Sequence, residues 1–162
     1  MSNRDQRFVA VHRGGSLSKE HHSALASWAA SCAEHVLHLF DAEHGEDGRV
    51  RAAICVARDW AAGSVTVGDG QKAALSAHAA ARDSSSAAAV AAARSAGHAA
   101  AVAHMADHCL GAAAYALKAA GTTREALAAE FQWQVSQLPE GLKDLVVSAL
   151  QARNTKLLAG IS

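Results

Sequence analysis

Between Ser18 and Phe40 the apolar side chains Leu25, Trp28, Cys32, Val36, Leu39 and Phe40 recur at the three- and four-residue spacing of one helical face. Ser18 stands where a side-chain oxygen caps a first turn, so the pattern predicts a helix from there to about Phe40. Residues 41–48 (DAEHGEDG) form a charged loop, and a second helix covers 49–63 (RVRAAICVARDWAAG), closed by Gly63 as a C-cap. Residues 64–70 (SVTVGDG) read as a turn with some extended character, and a third helix spans roughly 70–82. Serines 84–86 open a fourth helical stretch that runs on to Gly121. At about 36 residues it exceeds an ordinary globular helix, and a break is expected near Ser95, Ala96 and Gly97, where glycine interrupts a helix at least cost. Thr122 or Thr123 caps the next helix. The last begins after Pro139 and carries Leu142, Leu145, Val146, Ala149 and Leu150 on its apolar stripe. The expected fold is all-α: a single-domain helical bundle of six to seven alanine-rich helices over residues 16–162, behind a flexible N-terminal arm at 1–15.

Composition sharpens this picture. Of 162 residues 42 are alanine and one is proline, so helix propensity is high and interruptions are few. Small side chains let helix axes approach closely. Lysine plus arginine (15) balance aspartate plus glutamate (15), which removes the electrostatic footprint of a nucleic-acid binder. No apolar run is long enough to span a bilayer, and no signal peptide is evident, so no membrane partner and a cytoplasmic location are expected. Cys32, Cys55 and Cys109 are odd in number, far apart and without a CxxC, which argues against a disulfide framework or a zinc ribbon. A monomer and a small homo-oligomer are both compatible with these features.

The candidate chemistry lies in histidine. On a continuous helix, His104 and His108 share a face and could grip one metal ion, with His78 as third ligand. His98 would lie about 120° around that helix from His104 and could not share the grip. The competing reading makes His98, His104, His108 and Tyr115 a polar core, buried and hydrogen-bonded among alanines. His35 and His38 fall near the end of the first helix, where the macrodipole favours them. No serine nucleophile elbow, phosphate-binding loop or dinucleotide fingerprint occurs, and no catalytic residue or cofactor is implied. Asp41, Glu43, Glu46 and Asp47 form the best candidate for a charged partner contact.

Four segments in order, LASWAASCAEHVLHLF (25–40), RVRAAICVARDWAAG (49–63), ALSAHAAAR (74–82) and AGHAAAVAHMADHCLGAAAYALKA (96–119), resemble the bacterial "putative immunity protein" family of polymorphic toxin systems. The likeness spans about 24–120, with a looser match through LPEGLKDLVVSAL. The family's recurring positions are matched at Trp28, Glu34, Phe40, Arg51, Arg58, Trp60 and Gly63, and further on at His78, Arg82, Gly97, His98, His104, His108, Gly111 and Tyr115. Val50 and His38 depart from it, each where the family often has proline. The resemblance implies an all-helical protein that binds and neutralises a cognate toxin without chemistry of its own. Two alternatives stand beside it: a metal-binding protein or metal-dependent hydrolase using the histidines, and a structural helical module.

Overall fold

Side-chain caps set most of the helix starts. In the computed structural model, which describes residues 4–162, the Ser18 hydroxyl accepts the His21 amide at 3.1 Å and opens α1 (Lys19–His35). Then come α2 (Leu37–His44) and α3 (Arg49–Ala61), the latter followed by Gly63 at φ +80°. Thr66 and Asp69 cap each other's backbone amides at the start of α4 (Val67–Arg82). Ser86 accepts the Ala89 amide at 3.0 Å and opens α5 (Ala87–Ala101). After α6 (His108–Ala120), Thr123 caps α7 (Arg124–Ser136). A 3₁₀ turn at Glu140–Leu142 leads from Pro139 into α8 (Lys143–Arg153). The protein is all-helical; among the described residues there is no strand, only one isolated bridge between Ala10 and Leu17.

Among the described residues eight α-helices form where six to seven were expected. The extra one arises because the first predicted helix breaks at Val36, which takes φ −109° and ψ 3°. The bend turns α2 so that Leu37 and Phe40, its two buried residues, pack against α5. The break expected at Gly97 lies instead at 102–107, between α5 and α6. Gly97 is buried inside α5. At 102–107 the freed carbonyl of Val102 accepts the His22 Nε2–H at 2.6 Å, so the helix ends where a distant side chain satisfies it. α4 begins at Val67 rather than near 70, because the Thr66–Asp69 cap starts the helix earlier than the residue pattern.

α5 is the central element. It lies between α4 and α6 and also packs on α1, α2 and α3. Its buried residues are seven alanines with Ser95 and Gly97. A Cβ on Gly70 of α4 would lie 2.9 Å from the Ala100 carbonyl oxygen, so here the two helices meet almost backbone to backbone. The Ser95 hydroxyl donates to the Ala112 carbonyl at 2.7 Å and ties α5 to α6 inside the core. Larger side chains, among them Phe8, Leu25, Phe40, Ile54, Leu110 and Phe131, fill the space around this close-packed centre.

The arm expected at 1–15 lies in part outside the described residues. From Arg4 onward it is seated on the bundle. Two 3₁₀ turns (Gln6–Phe8 and Val11–Arg13) deliver Phe8 to the core at 0% exposure. Paired bonds from Leu17 N to Val9 O and from Val11 N to Leu17 O, each 3.0 Å, lock the segment beside the start of α1. No described helix is long and apolar enough to cross a membrane.

Candidate functional site

The histidines meet because the helices that carry them are built to approach closely. His78 (α4), His98 (α5) and His108 (α6) form a row across three helices. The His78 and His98 ring centroids are 5.4 Å apart, edge to face, and those of His98 and His108 also 5.4 Å. Two glycines make the seats. A Cβ on Gly97 would lie 2.6 Å from His78 Cε1, and one on Gly111 would lie 2.5 Å from His98 Nδ1. Alanine, abundant elsewhere in this core, is too large at both points. Tyr115 stacks on His98 at 5.3 Å with 20° between planes, and Lys118 Nζ sits 4.7 Å from the Tyr115 ring centre.

Hydrogen bonds assign the protons. Arg94 Nη1 donates to His78 Nδ1 at 3.3 Å, so His78 carries its proton on Nε2. The Nδ1 atoms of His98 and His108 are 3.2 Å apart. One must donate and the other accept, which holds this pair at no more than one Nδ1 proton. Burial pushes His98 down to about 4, helped by the charges that His108, His78 and Arg94 can carry. Burial lowers His78 as well, with Arg94 and Arg82 adding to it. It also lowers His108, against the pull of Asp107. At neutral pH the row is a chain of uncharged imidazoles.

Where the sequence places His104 and His108 on one helical face, the structure separates them. His104 belongs to the turn between α5 and α6, while His108 begins α6. The turn redirects the chain, so His98, excluded from the grip on a straight helix, becomes the neighbour of His108. His104 makes none of the ring contacts of the row. Among the described residues no group of three or more His, Cys, Asp or Glu side chains is placed to hold a metal ion, so His78, His104 and His108 are not gathered as a ligand set. Of the four polar-core candidates, His98, His108 and Tyr115 come together and His104 stands apart; all four are half-buried.

The acidic loop is a clasp. Glu43 accepts the backbone amides of Ser85 and Ser86 at 2.5 and 3.0 Å, which pulls its carboxyl down to about 2 and ties the α2 end to the α5 start. Asp41 pairs with Arg51 at 2.6 Å. Asp47 pairs with Arg49 at 2.7 Å, and Arg49 also reaches Asp83 at 2.8 Å. Among the described residues, Glu46 is the member of the four with no ion-pair partner.

One polar network escapes a reading by local pattern. Glu130 on α7, 5% exposed, meets His35 Nδ1 at 2.7 Å and accepts from Gln134 Nε2 at 3.1 Å. Gln134 also donates to the Ala113 carbonyl, and its own carbonyl accepts the Trp28 indole N–H at 2.8 Å. His35 stacks on Trp133 at 3.6 Å. His35 is the last residue of α1, because the helix expected to run to Phe40 breaks at Val36, and its ring is held by α7. The exposed His38 has no part in this. A glutamate spaced four residues ahead of a glutamine on an otherwise apolar face was the available signal.

The class the fold defines is an all-helical bundle whose central helix packs on its neighbours through alanine. The family model of Imm-5 like putative immunity proteins matches residues 15–141, and the chain belongs to that family. No curated protein and no solved structure matches it.

Proposed function

We propose that this protein is a cytoplasmic immunity protein that neutralises a cognate bacterial toxin by binding it, without turnover. Its family membership over residues 15–141 carries the reading. The histidine row supports it from the other side. Its imidazoles are neutral, seated on glycines and bonded to one another, as framework groups are. The toxin must be held tightly, because a small free fraction is harmful; nanomolar binding corresponds to about −12 kcal/mol. Affinity of that order rests on a few desolvated anchors inside a polar rim. In the acidic loop Asp41, Glu43 and Asp47 act through the fold, while Glu46 is the charge free to steer a partner. Co-expression with a toxin domain encoded beside this gene tests the reading: growth is rescued and the two proteins co-purify. Glu46→Lys slows association and weakens its salt dependence. Failure of the wild-type chain both to rescue growth and to co-purify overturns it.

A further inference from the structure

Away from the histidine row, the N-terminal segment, the start of α1 and the end of α3 enclose a cleft of about 610 Å³. Leu17, Trp60 and Val65 give it apolar walls. Every charged or titratable side chain that lines it is basic: His12, Lys19 and His22. Val11 stands at its edge, 60% exposed, a large apolar side chain that the fold leaves in water.

Three further observations give the cleft a sign. His22 is 5% exposed and donates from Nε2 to Val102, while its ring lies 4.7 Å from Trp60. Burial lowers its pKa first, and the groups around it that lower it further, His12, Arg13 and Arg4, are all basic. Lys19 occupies the first position of α1, where the positive end of the helix dipole disfavours a cation. Glu20 and Asp59, the acids nearest in sequence, are exposed and do not line the cleft. An open cleft with apolar walls, an exposed apolar edge and only basic groups among its titratable lining is complementary to an apolar body that carries an anion.

We infer that this cleft receives a segment of the partner protein in which an acidic side chain stands beside an aromatic or aliphatic one, with the apolar group against Trp60 and the carboxylate beside Lys19. The inference rests on the immunity reading and names one anchor of the complex. About 610 Å³ lies within the range of binding pockets. It has room for a few side chains but not for a whole helix.

The cleft is first tested with a probe of the same chemistry, 1-anilinonaphthalene-8-sulfonate, against the uncharged N-phenyl-1-naphthylamine. The folded protein at pH 7.5 binds the anionic probe saturably at one site, and energy transfer from tryptophan to the probe falls in Trp60→Phe. Lys19→Glu weakens the anionic probe at least fivefold and leaves the neutral one unchanged. Ser23→Trp, which fills the cleft, blocks both; should that variant not fold, Lys19→Glu, on an exposed first turn, still decides. The neighbouring toxin domain then displaces the probe, and both variants bind it at least tenfold more weakly than the wild type. Absence of saturable probe binding overturns the inference. So does toxin affinity unchanged in both variants, or a probe that the bound toxin leaves in place, which would assign the cleft to a free amphiphilic anion. A wild-type chain that binds no toxin is a different result: it fails the immunity reading itself.

Discussion

His98 is the residue on which most of the interior polar design converges. Its ring needs Gly111 beneath it, His108 beside it and Tyr115 across its face. Gly111→Ala therefore sets two effects against each other. It gains up to about 1 kcal/mol of helix propensity and overpacks the ring, which costs about 1–3 kcal/mol. The net expected by urea denaturation is a loss. In a His98→Ala background the clash disappears, and the same substitution becomes neutral or stabilising. Additive effects in that double-mutant cycle would show that the seat is not specific. The row also sets the response to acid. His78, His98, His108 and His22 all lie below their ordinary value when folded. The unfolded chain thus takes up protons first, near pH 6.5. Stability is full above that value and falls as the pH drops toward about 4, where His98 itself protonates. Thermal melts from pH 7.5 to 5, above the carboxylate range, should show this decline, and His98→Gln should make it shallower. A flat profile would place these imidazoles in solvent.

At the scale of the element, the turn at 102–107 explains which parts of the fold were legible. Ser18, Gly63 and Pro139 mark their boundaries through local chemistry, and each stands where the sequence predicts. Thr123 resolves a choice between two adjacent threonines. The breaks at Val36 and at 102–107 carry no glycine or proline. The second is stabilised by His22, eighty positions earlier, and no local pattern records such a partner. The straight helix assumed through that turn is also what paired His104 with His108 and set His98 aside. Residues 41–48 were legible as a charged segment, but 41–44 belong to α2 and only 45–48 form the loop that was expected over the whole stretch. That three of its four carboxylates were committed required knowing which arginines and amides lie opposite. His22→Phe keeps a ring near Trp60 but leaves the Val102 carbonyl without its donor, at a cost of about 1–3 kcal/mol. Hydrogen exchange should show the loss first in the last turn of α5. Unchanged protection there would mean that the turn holds without the histidine.

At the scale of the molecule, both ends of the chain return to one carboxylate. Arg4 reaches Asp107 at 3.6 Å and Arg153, at the end of α8, reaches it at 3.4 Å. Exposed ion pairs contribute little, but the Asp107 side chain is only 14% exposed and serves two partners. Asp107→Asn should leave the central helices intact and hasten proteolysis of the N-terminal segment in a timed digest. Equal digestion rates would show that Phe8 and the paired backbone bonds to Leu17 seat that segment without Asp107.

The nearness of α5 to its neighbours has a consequence for descent. Where backbones touch across Gly70 and alanines face one another on several sides, a longer side chain has nowhere to go. Such a centre tolerates glycine, alanine and serine and little else. A saturation library sorted for folded protein should therefore show an almost silent lane along α5 and freedom on the outward positions of α1, α3 and α7. A lineage under pressure to follow a changing adversary would write its changes on that outer skin, while the narrow interior keeps one alphabet of small letters.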